Sequence, residues 1–231
     1  MASIAENYQT VIEDFQRACA AAGRSPDEVR LIAVSKFFPP AAVRRVYDLG
    51  QRLFGENRAQ EMTAKAPELP ADIQWHFIGR LQRNKVKYII ERAAMIHSVD
   101  SLALAEEISR QAGLRDRRAP ALLEVNLGGE DTKAGFSPAG LRAGLEAIAR
   151  LPGLSVQGLM TIGPYYENPE DARPLFRRLR ELKETVSAWG IQGVEMRYLS
   201  MGMSHDFPVA IAEGADFVRV GTAIFGVRDR K

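Results

Sequence analysis

Lys36 is the residue whose position most calls for a chemical explanation. It follows the run "LIAVS" at 31–35, which is typical of a strand buried on both faces, and it precedes "FFPP". A charged amine loses hydration at such a place, so it needs water, a partner or a chemical role. Desolvation favours the neutral amine, which can attack a carbonyl and form a Schiff base. The alternative is a lysine that reaches past the strand end into water.

Two turns rich in small residues, within "YLSMGMSHDF" at 198–207 and "VRVGTAIFG" at 218–226, could bind an anion. Glycine lets the backbone approach a ligand, and hydroxyls and amides at a helix start suit phosphate oxygens. The candidate groups are the hydroxyls of Ser200, Ser204 and Thr222 and the backbone amides near Met201 and Gly221. Alternatively, Ser204 only caps the following helix and Gly221 only turns the chain.

Arg219 lies inside the apolar run "FVRVG" at 217–221. Alternation along a strand puts Phe217 and Gly221 on its face, and the two flanking valines on the other face. A guanidinium directed into a protein interior must find hydrogen-bond acceptors. An ion pair with Glu124 is one possibility, and a ligand is another. Together, a lysine, an arginine and a phosphate turn suggest an aldehyde cofactor that carries a phosphate.

The rest of the chain supplies elements that can position these groups. Apolar runs alternate with segments of helical period, which predicts an α/β protein. Such a chain closes most economically as a single (β/α)₈ TIM barrel, here with an additional N-terminal helix at about residues 3–22. Active sites of such barrels lie at the carboxyl ends of the strands. The predicted strands are 31–36, 52–56, 73–79, 95–99, 121–127, 155–163, 196–201 and 217–221.

Composition indicates one ordinary globular domain spanning residues 1–231. Hydrophobic residues make up 46% of the chain, and 31 basic against 29 acidic residues leave a formal charge of +2. No strong field therefore selects nucleic acid or a membrane as a partner. The single cysteine, Cys19, is predicted to be buried and inert. His76 and His97 lack a metal-like spacing and are predicted to be hydrogen-bonded barrel residues, with no metal site. No leader pattern is present, so we expect a cytoplasmic protein. We also expect a monomer.

The sequence resembles the family of pyridoxal phosphate homeostasis proteins almost from end to end. The motifs that carry the resemblance are "AVSKFFPP" (33–40), "FGENRAQE" (54–61), "WHFIGRLQRNK" (75–85), "IHSVDS" (96–101), "EVNLGGEDTKAGF" (124–136), "GLMTIG" (158–163) and "LSMGMSHDFPVAIAEGADFVRVGTAIFG" (199–226).

The resemblance implies a barrel related to the N-terminal domain of alanine racemase. It implies that pyridoxal phosphate (PLP) forms a Schiff base with Lys36, that Arg219 faces the pyridine nitrogen and that Asn57 lines the site. By the same resemblance, the phosphate is held by Ser200, Ser204, Gly221 and Thr222, with Met201 contributing its backbone.

Three functions are compatible with these residues. The leading one is a PLP-binding protein of intracellular PLP homeostasis, which buffers the cofactor or delivers it to PLP-dependent apoenzymes without substantial catalysis. The second is a PLP-dependent amino-acid racemase or related enzyme. An arginine at the ring nitrogen weakens the electron sink, but the resemblance implies that racemases of this fold also work with an arginine, so this residue alone does not exclude catalysis. We expect the second domain of the racemases to be absent, so inversion would lack its second acid or base. The third is a Schiff-base aldolase or sugar-phosphate isomerase, which would be colourless.

Overall fold

The computed structural model describes residues 2–128 and 134–226. Eight parallel strands form a closed barrel in which each strand pairs with its neighbour in the chain, and the eighth pairs with the first. The predicted (β/α)₈ barrel is therefore confirmed. The strands are β1 (Arg30–Val34), β2 (Leu53–Glu56), β3 (Gln74–Phe77), β4 (Ala93–Val99), β5 (Ala119–Glu124), β6 (Leu154–Met160), β7 (Val194–Met203) and β8 (Phe217–Val220).

Helices follow the strands and cover the outside of the barrel. The predicted additional helix is α1, which begins with a capping box: Ser3 accepts from the Glu6 amide at 3.2 Å, and Glu6 accepts from the Ser3 amide at 2.7 Å. The α-helices are α1 (Ile4–Ala21), α2 (Pro40–Asp48), α3 (Ala59–Lys65), α4 (Val86–Ile89), α5 (Leu102–Gly113), α6 (Leu141–Ile148), α7 (Arg173–Ala188), α8 (Phe207–Ala212) and α9 (Thr222–Phe225). Among the described residues, no helix has the length and apolar character needed to cross a membrane.

The first strand ends at Val34, so the prediction that it includes Lys36 is wrong. Phe38 N–H donates to the Ser35 carbonyl at 3.1 Å, which closes a turn with Lys36 and Phe37 at its centre. Phe37 has a φ of 69°, a value that turns usually assign to glycine. We call residues 35–38 the lysine turn. Because Lys36 lies in a turn, strand alternation does not determine its direction.

Strands β5 and β6 also end earlier than predicted, at Glu124 and Met160. Each strand stops where the chain must leave the barrel to reach the next helix. The residues predicted to follow these strands at the barrel mouth still do so, although they lie in loops and not in the strands themselves.

Apolar side chains form two buried clusters on opposite faces of the strands. The smaller cluster fills the barrel interior and includes Ile32, Val34 and Phe217. The larger cluster lies between strands and helices and includes Cys19, Val218 and Val220. The predicted burial of Cys19 and the outward direction of the two valines are therefore confirmed.

Candidate cofactor site

The end of β8 lies directly beside the end of β1. Arg219 pairs with Ile32 across the two strands. Two residues further along the chain, a Cβ placed on Gly221 would lie 3.3 Å from the Cβ and from the carbonyl oxygen of Val34. Gly221 therefore packs against the residue at which β1 ends. Since the lysine turn begins immediately after Val34, the half-buried Lys36 and the turn after β8 belong to the same part of the barrel mouth.

Ser204 joins the loop after β7 to the turn after β8. Its Oγ accepts hydrogen bonds from the backbone amides of Gly221 at 3.0 Å and Ala223 at 3.4 Å. Thr222 is exposed at the start of α9. The N-cap of α8 is Asp206 rather than Ser204, so the alternative in which Ser204 only caps that helix is wrong. Three of the residues predicted to bind phosphate are thus brought together. We call Ser204, Gly221 and Thr222 the phosphate turn.

Ser200 and Met201 lie elsewhere. Ser200 is fully buried in the barrel interior, where its Oγ accepts from Arg219 at 2.6 Å and lies 2.9 Å from Nδ1 of His97. Met201 is also fully buried, but its side chain belongs to the outer core. Only the Met201 backbone can therefore take part in a site at the mouth. A direct bond from the Ser200 hydroxyl to phosphate stays a prediction, because that hydroxyl is already engaged below the mouth.

Arg219 is 6% exposed and is directed into the barrel, as predicted. It donates from Nη1 to Ser200 and from Nη2 to the Thr161 carbonyl at 2.9 Å. These acceptors are neutral, so the predicted alternative of an ion pair with Glu124 is wrong. Burial lowers the pKa of Arg219 to about 10, and the charges of Asp206 and Glu124 oppose that shift. The guanidinium accordingly remains charged at neutral pH.

A chain of hydrogen bonds continues from Arg219 into the barrel. His97 lies between Ser200 and His76, and Nε2 of His97 is 2.8 Å from Nδ1 of His76. Burial lowers the pKa of His76 to about 3 and that of His97 well below its usual range. Both imidazoles are therefore neutral. One consistent assignment has every donor pointing away from Arg219, with Ser200 donating to His97 and His97 donating to His76. The predicted role of both histidines as hydrogen-bonded barrel residues is confirmed.

Asn57 follows β2, the strand beside β1, and lines a cleft of about 590 Å³ with Arg58, Glu61, Arg80 and Lys85. Its Oδ1 is buried and has no hydrogen-bond partner among the described residues. A Cβ on Gly79 would overlap the Asn57 backbone, so the end of β3 fixes the position of this residue. An unpartnered buried acceptor is unusual in a folded protein, and a bound water or ligand would supply the missing donor.

Sequence reasoning missed a set of ionic groups that contact the lysine turn. Glu56, Glu61 and Lys65 were assigned no role, although Glu61 and Lys65 have the spacing of a helical ion pair. Lys65 is the last residue of α3 and is 6% exposed. A lysine on a helix usually faces water, so its burial could not be expected from the sequence. Lys133, which follows β5 in the sequence, lies outside the described residues.

The groups at this end of the barrel match the parts of PLP. An aldehyde would find the amine of Lys36, a phosphate would find the hydroxyls of Ser204 and Thr222, and a ring nitrogen would find the guanidinium of Arg219. Asn57 adds a buried oxygen that lacks a partner. Among residues 2–128 and 134–226, no group of three or more histidine, cysteine or acidic side chains could hold a metal ion.

Comparison with known proteins places these features in context. The family model described as "Alanine racemase, N-terminal domain" matches residues 7–229. The pyridoxal phosphate homeostasis protein of Aquifex aeolicus is 48% identical over 224 residues, which are 96% of this chain and 97% of that protein. A crystal structure of an unknown protein from Bifidobacterium adolescentis has a TM-score of 0.90 at 39% identity, covering 96% and 94% of the two chains. PipY of Synechococcus elongatus with PLP bound has a TM-score of 0.81 at 42% identity, covering 92% and 99%.

Proposed function

Because this chain belongs to the family of pyridoxal phosphate homeostasis proteins, we propose that it binds PLP through Lys36 and acts in PLP homeostasis. In this role it holds the cofactor and delivers it to PLP-dependent apoenzymes, without substantial catalysis. The activity is carried by one barrel domain spanning residues 1–231. We propose that it acts in the cytoplasm.

The observation that carries this proposal is the contact between Gly221 and Val34. It joins the phosphate turn at the end of β8 to the strand that leads into the lysine turn. A ligand held by its phosphate at one strand end would therefore have the amine of Lys36 at the neighbouring strand end. The phosphate turn alone would also suit an aldolase or an isomerase of this fold. The chemistry of those enzymes involves no pyridine nitrogen, so it would leave the buried Arg219 without a role.

The residues of the site have separate tasks. Bound PLP supplies an aldehyde, to whose carbon the Lys36 nitrogen bonds with release of one water. The phosphate turn fixes the opposite end of the ligand through the hydroxyls of Ser204 and Thr222, while the Gly221 amide holds Ser204 in place. Arg219, held by two neutral acceptors, keeps a positive charge beside the ring and so disfavours a proton on the ring nitrogen. That charge limits the electron withdrawal on which PLP catalysis depends.

A PLP-dependent amino-acid racemase is the second candidate, and Glu124 is the observation that favours it. Glu124 ends β5 on the inward face, two residues after the interior residue Leu122. Burial raises its pKa, as does the nearby Asp100, whereas Arg219 and Arg80 lower it. A carboxyl group at the mouth with a raised pKa could exchange a proton with a bound amino acid.

Two measurements on the same preparation separate the candidates. The protein is loaded with PLP, freed of excess cofactor and mixed with an apo-aminotransferase, whose regained activity reports transfer. The α-proton exchange of alanine and serine in heavy water is followed by NMR. Our proposal expects transfer without exchange at an enzyme-like rate. Exchange at about 1 per second or faster, lost in Glu124→Gln, would establish the racemase instead, and an absence of both transfer and PLP binding would refute the homeostasis role.

A further inference from the structure

A buried ionic network lies against the lysine turn. Glu56, the last residue of β2, is fully buried, and its Oε1 accepts from Ser35 Oγ at 2.7 Å and from Lys65 Nζ at 2.8 Å. The Lys65 ammonium also donates to the Ser35 carbonyl at 2.9 Å and to Glu61 Oε2 at 3.1 Å. An ammonium has three protons to donate. All three protons of Lys65 are therefore directed at acceptors, namely the Ser35 carbonyl next to Lys36 and the carboxylates of Glu56 and Glu61.

The same network also holds the other side of Lys36. Glu61 Oε2 accepts from the backbone N–H of Phe37 at 2.6 Å. The Ser35 carbonyl belongs to the peptide group that precedes the Lys36 Cα, and the Phe37 N–H belongs to the peptide group that follows it. Both peptide planes that flank Lys36 are thus fixed by hydrogen bonds to Lys65 and Glu61. Because those two planes define the φ and ψ of Lys36, the network sets the direction of its Cα–Cβ bond.

The conformation that the network holds is not one that the sequence favours by itself. Phe37 has a φ of 69°, a left-handed value that costs energy for any residue with a Cβ. Such strained backbone persists where its surroundings determine it, and it is concentrated at functional sites. The network itself is also expensive, because Glu56 Oε2 is buried without a hydrogen-bond partner among the described residues. Apolar residues could fill this space between barrel and helix without burying ions.

From this geometry we infer that Lys65, together with Glu61, is a positioning residue that aims Lys36 at its ligand's aldehyde. The inference rests on the proposed function, since it concerns the covalent attachment of PLP to Lys36. In this inference, Lys65 and Glu61 of α3 promote the attachment by holding the lysine turn, and they do not contact the cofactor. A merely structural network would stabilise the barrel and leave the relation between Lys36 and its ligand unchanged.

The test compares two ligands that differ only in the aldehyde. PLP can bond to Lys36, whereas 4′-deoxypyridoxine 5′-phosphate has a methyl group in place of the aldehyde and binds through its ring and phosphate alone. We expect Lys65→Met to slow PLP attachment and to weaken PLP binding at least tenfold, while affinity for the deoxy ligand changes less than twofold. Lys183→Met is the matched control, because Lys183 also donates to a carbonyl, that of Arg197 at 3.1 Å, and pairs with Asp216.

A second pair of variants covers the case in which Lys65→Met does not fold. Glu61→Gln keeps an oxygen that can accept from Phe37 N–H, and Glu61→Ala removes it. We expect the glutamine variant to attach PLP within threefold of the wild-type rate, and the alanine variant to be at least tenfold slower. In the ligand-free protein, the Phe37 amide should exchange its hydrogen faster in Glu61→Ala than in Glu61→Gln.

Two results would overturn the inference. One is unchanged PLP attachment in every folded variant; the other is a parallel loss of PLP and of the deoxy ligand, which would indicate general damage to the site. Failure of the proposed function is distinct from both, because the wild-type protein itself would then take up no covalent PLP.

Discussion

The hydroxyl of Ser204 accepts a hydrogen bond from the backbone amide of Gly221 over 3.0 Å. This bond links the loop after β7 to the turn after β8 without any contribution from a ligand. A phosphate at this turn would therefore meet groups that are already held in place, which lowers the entropy cost of binding.

Ser204→Ala should weaken PLP binding by about 1–3 kcal/mol, because a charge-assisted hydrogen bond to phosphate and the anchor of the Gly221 amide are both lost. Equilibrium titration followed by absorbance measures the effect. Ser187→Ala on α7 is the control, since that hydroxyl donates to the Lys183 carbonyl of its own helix. Pyridoxal, which lacks the phosphate, should bind much more weakly than PLP to the wild-type protein and should be nearly insensitive to the Ser204 change. Equal affinity for PLP and pyridoxal would rule out the phosphate turn.

Ser200→Ala tests which of two roles its hydroxyl has. If the hydroxyl serves Arg219, as its 2.6 Å contact indicates, the change should weaken PLP and pyridoxal by the same factor and should alter the absorbance spectrum of bound PLP. A direct bond to phosphate would instead weaken PLP alone. The ratio of the two affinities, measured in wild type and variant, distinguishes these outcomes.

The buried histidines should make stability depend on pH. An unfolded histidine binds a proton below about pH 6.5, whereas the folded chain keeps His76 neutral down to about pH 3. The unfolded state therefore binds more protons between these values, and the free energy of unfolding falls as the pH falls through this range. Each buried histidine contributes a slope of about 1.4 kcal/mol per pH unit.

Denaturant unfolding at several pH values from 7.5 to 5 measures that slope. His97→Gln should reduce it by about one proton's contribution. Burial raises the pKa of Glu56 and Glu124, and these groups oppose the trend near pH 5. Because they are present in every variant, differences in slope still report the histidine. Identical slopes in wild type and His97→Gln would contradict the assignment of a buried neutral His97.

Glu56→Ala should lower the free energy of unfolding by about 3–5 kcal/mol, since it removes the fully buried one of the two carboxylates that pair with the buried ammonium of Lys65. The comparison is Glu146→Ala, which breaks an exposed pair with Arg142 and should cost less than about 1 kcal/mol. Urea unfolding measures both. A cost for Glu56→Ala as small as that of the surface variant would mean that the network is solvated.

The periodicity of apolar residues predicted the barrel, because the hydrophobic pattern of a strand or helix follows from which of its residues meet water. The inward direction of Arg219 and the outward direction of Val218 followed from alternation alone. The lysine turn did not, because the φ of Phe37 is imposed by contacts with Glu61 of α3, which is distant in sequence. The motif around Ser200 predicted a hydroxyl that binds phosphate. Its burial could not be predicted, because it depends on how β7 packs against the interior histidines.

The central claim is that Lys36 carries PLP, and borohydride reduction of the PLP-loaded protein tests it most directly. Reduction fixes the cofactor to the nitrogen that holds it, and digestion followed by mass spectrometry identifies the labelled peptide. Our account predicts one pyridoxyl group per chain on Lys36. A label on Lys85, Lys65 or Lys133 in place of Lys36, or no label in a protein that has bound PLP, would contradict it.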